Sequence, residues 1–288
     1  MSVVDKEKLE NMMNTTGGTI NNEVVEYAKS FLIERLTTFV SNENELQEIK
    51  NKLQKLKIEF VSDEEFKKIY EENNGKGFLP GAFVTNDVLY FKNYSNSFHN
   101  LIHELLHIIS KSGDKHGLYQ ILRDKKQYYG YGFNEAFTEH LTSIVLDESF
   151  SGYSYDLNYM IQLFMICVDL KVEDLFSLYI SKTEWISDEL VQRFNSINED
   201  LITLLIEYDQ RLPQTRNRKF NPDNALIPIL NSLKLKINNN VALDTIKISE
   251  LLKDYYNYFE EFEKSQETKE KISEVLDVLG TYRHSYSR

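Results

Sequence analysis

The sequence predicts a helix-dominated α+β chain, and three observations carry that expectation. Only four prolines and eleven glycines punctuate 288 residues, so long helices with few sharp turns are expected. Apolar residues three and four apart, set between charges, recur over most of the length, which is the helical period. Short runs rich in Phe, Val, Ile and Tyr, bounded by turn signals, fall between residues 58 and 92 and supply a small sheet. A hydrophobic share of 41% is enough to bury the core of one large domain or two modest ones.

In chain order, residues 24–40 and 45–56 read as two amphipathic helices with a solvated outer face. Residues 58–61, 77–84 and 88–92 read as strands, with Asn74-Gly75 and Pro80-Gly81 as turn signals and Thr85-Asn86-Asp87 turning the chain between the last two. A strong helix follows over residues 97–110, with Phe98, Leu101, Ile102, Leu105, Ile108 and Ile109 on one face and Gly113 beyond its end. Residues 111–132 interrupt the regular pattern and read as a loop of a length that tends to be functional. The next helix covers residues 134–146. Helix then dominates residues 151–211, with breaks near Lys171 and Thr183, and residues 211–222 form the expected linker. Further helices are expected over residues 224–235 and 246–279, with Asn238-Asn239-Asn240 as a turn. Tyr282 and His284 read as part of a frayed tail.

With 33 Lys+Arg against 45 Asp+Glu the formal charge is −12, which repels polyphosphate and disfavours nucleic acid and anionic membrane as partners. The single cysteine, Cys167, sits in an apolar run and reads as a buried, inert thiol. No signal-peptide core and no run of about eighteen apolar residues is found, so a cytoplasmic chain is expected.

The chemistry concentrates in His103-Glu104-Leu105-Leu106-His107, an HExxH pattern. Residues four apart share a helical face, so both imidazoles can ligate one zinc ion, with Glu104 beside them near a metal-bound water. His99 lies on the same stripe four residues earlier, and a solvated row of histidines would look alike. Asn134-Glu135-Ala136-Phe137-Thr138-Glu139 places Glu135 and Glu139 one turn apart on the next strong helix; alone, such a pair is usually a solvated face.

Taken together, HExxH and the downstream Glu, three residues, Glu resemble the gluzincin metallopeptidases of the thermolysin-like type. The resemblance covers roughly residues 80–148 and implies a zincin-like core of a small sheet and two motif helices with largely helical flanks. It implies His103, His107 and Glu135 as zinc ligands, Glu104 as general base, and Glu139 as the acid that orients a ligand histidine, where thermolysin itself has an Asp. The strand over residues 88–92 lies where zincins keep the edge strand that pairs with an extended substrate; an ordinary sheet edge is the plainer reading. Ser110 and Gly113 stand where metzincins need Gly and a third His, which excludes that branch, and Asp114 is a rival third ligand of the aspzincin kind. Tyr128, seven residues before Glu135 in the run Tyr128-Tyr129-Gly130-Tyr131, is similar in spacing to the zinc-facing tyrosine of the anthrax lethal factor type; loop packing is the competing role.

The expected function is a zinc-dependent metallopeptidase acting on a peptide or protein substrate, Zn²⁺ being the sole cofactor, since no segment has the spaced carboxylates of a calcium loop. A non-catalytic zinc-containing binding protein and a substrate-restricted, toxin-like or regulatory protease are the alternatives. The expected organisation is a helical N-terminal segment at 1–57, the catalytic core at 58–150, a helical C-terminal part of the cleft at 151–210 and a helical extension at 211–288.

Overall fold

The computed structural model describes residues 8, 11–12, 20–74, 81–86, 88–92, 97–112, 115–122, 127–129, 131–148, 155–180, 192–193, 195–197, 223–239, 241–258 and 266–286. The turn residues Gly75, Pro80, Asp87 and Asn240, the rival ligand Asp114, the break at Thr183 and the linker at 211–222 lie outside them. The helix-dominated α+β class is what the chain adopts: ten helices of nine or more residues stand beside short strands among the described residues. Two compact units are distinguished, one of Met1–Lys111 with Thr138–Phe150 and one of Ser112–Phe137 with Ser151–Arg288.

In the first unit, α1 (Asn22–Leu36) starts where the Asn21 side chain accepts from Val24 N at 2.9 Å. Val24, Ala28, Leu32 and Leu36, four apart, are wholly buried and define its inner stripe. Asn42 caps α2 (Glu43–Lys55) in the same way, through Asn44 N and Glu45 N. Next come β1 (Lys57–Val61), α3 (Asp63–Asn74), β2 (Ala82–Thr85) and β3 (Val88–Lys92). Asn86, with φ at 52°, supplies the left-handed residue between β2 and β3.

Helix α3 was not expected from the sequence. Its apolar stripe is only Phe66, Ile69 and Tyr70, and these pack against Val61, Phe83 and Tyr90 of the sheet. Ser62, whose Oγ accepts from Glu65 N at 3.3 Å, and the acidic first turn are the local signals that start it.

The sheet also corrects the reading of residues 88–92 as an edge. Strand order is β1-β3-β2, with β1 parallel and β2 antiparallel to β3, so β3 is central and both its sides are paired. Physically, Leu89 and Phe91 are wholly buried, as a central strand's inward residues are, and the parallel partner arrives through α3, a crossover that local sequence does not announce.

Helix α4 (Phe98–Ser110) begins at Ser97, whose Oγ accepts from Asn100 N at 3.1 Å. Its Leu101, Ile102, Leu105, Leu106 and Ile109 are all wholly buried, and Phe98 stacks near Tyr27 and Phe31 of α1 with ring centroids 5.8 and 5.9 Å away. Lys52 of α2 donates to Ile109 O and Lys111 O at 2.8 and 2.7 Å, so a cation sits on the carbonyl end of α4. Helix α5 (Tyr131–Leu146) ends in the same fashion: Arg35 Nε donates to Val145 O at 2.8 Å and Nη2 to Ile144 O at 3.2 Å. Helices α1 and α2 thereby fasten the ends of both motif helices.

Residues 111–132, read as a loop, hold a second sheet instead. It comprises β4 (Lys111–Ser112), β5 (Lys115–His116), β6 (Tyr119–Leu122) and β7 (Gln127–Tyr129) in that order, with β5–β6 and β6–β7 antiparallel. Strands of two to four residues are too short to display a period of two, which is why the pattern looks irregular. Gly117 turns β5 into β6 at φ 57°, and a Cβ there would run into Asn134 Oδ1 and the Tyr179 ring, so glycine is required on two counts.

The second unit also contains α6 (Tyr155–Cys167), α7 (Val172–Ile180), α8 (Asp223–Asn238), α9 (Thr245–Tyr258) and α10 (Gln266–Tyr286). Leu163, Phe164, Phe176, Tyr179, Leu230, Leu233, Leu252, Tyr255 and Ile272 are among its fully buried side chains. Cys167 is buried as expected, its thiol donating to Ser232 Oγ at 3.0 Å, and burial pushes its pKa up, which keeps it protonated and unreactive. Tyr282 and His284 lie in the last turns of α10 rather than in a frayed tail. Among the described residues, no helix is long and apolar enough to cross a membrane.

Candidate metal centre

Helix α4 turns its wholly buried apolar stripe to the core, and the 3.6-residue period then puts His99, His103 and His107 in a row on another stripe. The stripe is not solvated: the His103 side chain is 12% exposed and that of His99 17%. The Nε2 atoms of His103 and His107 approach to 3.0 Å, their ring planes inclined at 75°. Two imidazole nitrogens on one tetrahedral zinc, at bonds of ~2.0–2.1 Å, would stand about 3.3 Å apart, so the pair is close to ligating geometry.

The other motif helix, α5, supplies the carboxylates. Asn134, wholly buried, accepts from Leu118 N at 2.7 Å and anchors the first turns. One residue on, half-buried Glu135 offers an oxygen such that the ligand atoms of His103, His107 and Glu135 all lie within 4.8 Å of one another. Two nitrogens and one carboxylate make a borderline donor set that suits Zn²⁺ better than Mg²⁺ or Ca²⁺, which prefer all-oxygen shells. Glu104, half-buried on α4, follows His103 directly, about 100° around the helix from it.

One turn beyond Glu135, Glu139 is almost fully buried and accepts from His103 Nδ1 at 3.0 Å through Oε2. Its Oε1 accepts from His99 Nε2 at 2.8 Å. Burial alone would raise the Glu139 pKa, but the hydrogen bonds from His103 and His99 outweigh it and hold the carboxyl at about 2. The ionised carboxylate has no proton to give, so His103 Nδ1 is the donor and its Nε2 is left to face His107. Thr138, wholly buried, places Oγ1 3.4 Å from His107 Nδ1, on the side of that ring away from His103.

His99 also meets Glu148, its Nδ1 lying 3.2 Å from Oε2. Burial disfavours a charged ring, yet the bonds to Glu139 and Glu148 raise the His99 pKa above its ordinary value of 6.5. The sequence places His99 on the stripe as one of a row; its pairing with Glu139 and Glu148, and the place of Thr138, are not read there. The four-residue spacing to His103 is the signal that points to His99, whereas nothing local points to Glu148. Tyr128 lies in β7 with its backbone opposite Ile121, and its side chain, like that of Tyr131, falls outside the described residues.

The two shifts fix a pH window for the metal-free protein. Glu139, depressed, contributes stability that is full above its ordinary 4.5 and is lost as pH falls toward about 2. His99, raised, contributes stability that is full below 6.5 and is lost as pH rises through its folded value. Melting temperature is therefore expected to peak between these limits, and His99→Gln is expected to flatten the alkaline side. An unchanged alkaline slope in that variant, followed by circular dichroism, would remove His99 from the balance.

No family model matches the chain, and no curated protein and no solved structure matches it either.

Proposed function

We propose that the chain is a zinc-dependent metallopeptidase. The observation that supports it most is the convergence of His103 Nε2, His107 Nε2 and a Glu135 oxygen, with Glu104 in the same helical turn as the two histidines. His103, His107 and Glu135 would hold the ion. When bound, zinc supplies Lewis acidity toward water and the scissile carbonyl. Glu104 takes a proton from the attacking water and passes it to the departing amine nitrogen, so one carboxylate serves as base and then as acid. Glu139 keeps His103 in the tautomer whose Nε2 would offer its lone pair to the ion. Tyr128 is the proposed donor to the oxyanion. Three protein ligands leave room for water and substrate, which favours a hydrolase over a closed structural site. Location in the cytoplasm belongs to the same proposal, supported by the absence of a long apolar helix among the described residues and by the single buried cysteine.

Metal analysis of the purified chain tests the ligand set. One zinc per chain is expected, with His107→Ala and Glu135→Ala each losing it. Full zinc occupancy in both variants would refute the assignment. Zinc retained by a chain that cleaves nothing in a peptide library, analysed by mass spectrometry with and without chelator, would favour a binding protein instead.

A further inference from the structure

His99 lies outside the HExxH pattern, yet both of its ring nitrogens are engaged by carboxylates. Nε2 meets Glu139 Oε1 at 2.8 Å and Nδ1 meets Glu148 Oε2 at 3.2 Å. The Glu139 carboxylate is thereby divided, with Oε1 held by His99 and Oε2 by His103 Nδ1. A Glu carboxylate turns easily about its last torsion, so a partner on one oxygen decides where the other points. Held only at Oε2, the group could swing off His103; held at both, it cannot. An exposed ion pair would contribute little to such orientation, but Glu139 is 6% exposed and His99 17%, which limits the freedom of both. The carboxylate fixes the orientation of the His103 ring from its Nδ1 side.

We propose that His99 is a positioning residue of the metal centre: by holding the far oxygen of Glu139 it keeps the near oxygen on His103 Nδ1, and so keeps His103 Nε2 aimed at the ion. The inference rests on the zinc reading above and extends the ligand-orienting chain beyond Glu139, to His99 and its own anchor, Glu148.

Two amides separate this role from packing and from charge. In His99→Gln the side-chain nitrogen stands close to the place of the imidazole Nε2 and can donate to Glu139. In His99→Asn the shorter amide reproduces Nδ1, keeps the Glu148 contact and cannot reach Glu139. The affinity of the full chain for Zn²⁺ alone, measured by competition with a chromophoric chelator, is the readout. Glu139→Ala is expected to weaken binding by about ten- to a hundredfold, the range for a lost ligand-orienting partner. His99→Asn is expected to lose roughly tenfold, at the lower end of that range, and His99→Gln to recover most of it. Nitrogen-15 spectra should show the His103 Nδ1–H held in the parent and in His99→Gln, and exchanging in His99→Asn. Parental zinc affinity in His99→Asn alongside a weakened Glu139→Ala would overturn the proposal and leave the zinc reading intact, as would a His99→Gln no better than His99→Asn. Parental affinity in His103→Ala would instead sink the zinc reading itself, and the proposal with it.

Discussion

Glu104→Gln is expected to leave the fold and the zinc content untouched and to lower peptide hydrolysis by about a hundred- to ten-thousandfold, the range that a positioned acid–base group contributes. The amide preserves the shape and the half-buried position of the side chain on α4 but cannot accept a proton from water. The spacing gives the prediction its selectivity. Glu104 is one residue after His103 and three before His107, so it sits beside the ligand row rather than in it, and the ion does not need it. Zinc content and melting temperature should therefore match the parent while turnover collapses. Parental turnover would remove Glu104 from the mechanism, and lost zinc with lost activity would make it a structural residue.

What was legible in the sequence is what short-range physics dictates. Helix α4 is announced by Ser97, whose side chain caps it, and by a broad apolar stripe that is wholly buried in the structure. Both histidines and Glu104 of HExxH are fixed by that single helix, so their relative placement follows once the helix is recognised. The position of β3 is different in kind, because a strand's neighbours are set by chain segments far away in sequence; Val88–Lys92 was readable as a strand but not as a central one. The strands between α4 and α5 are too brief to carry a period, and the narrow stripe of α3 was outweighed by its charges. Of the long-range side-chain contacts, the one between Glu139 and His103 was legible through the family resemblance, and those of Arg35, Lys52 and Glu148 left no trace. Arg35 reaches carbonyls 109 and 110 residues away and Lys52 reaches one 57 away, each closing the end of a motif helix. His99 and Glu148, 49 residues apart, belong to the same class: the spacing to His103 gives the histidine a place on the stripe, and only the fold supplies its partners.

Tyr128→Phe is expected to lower turnover by roughly a hundred- to a thousandfold, the cost of removing one oxyanion donor, with little change in Michaelis constant. The reasoning is that charge on the carbonyl oxygen develops only on the way to the tetrahedral species, so a phenol that donates there acts more on the transition state than on bound substrate. Strand β7 sets the Tyr128 backbone opposite Ile121, and α5 begins at Tyr131, four residues before Glu135, so the tyrosine run leads directly into the helix that carries the third proposed ligand. The substitution deletes only the hydroxyl and keeps the ring, which separates chemistry from packing. The same change at Tyr131, the first residue of α5, is the internal comparison. A fully active Tyr128→Phe with a crippled Tyr131→Phe would transfer the donor role to Tyr131 and leave the zinc chemistry standing. Parental rates in both would place the donor elsewhere, on a helix beyond Ser151, while parental zinc affinity in both would show that neither hydroxyl takes part in holding the ion.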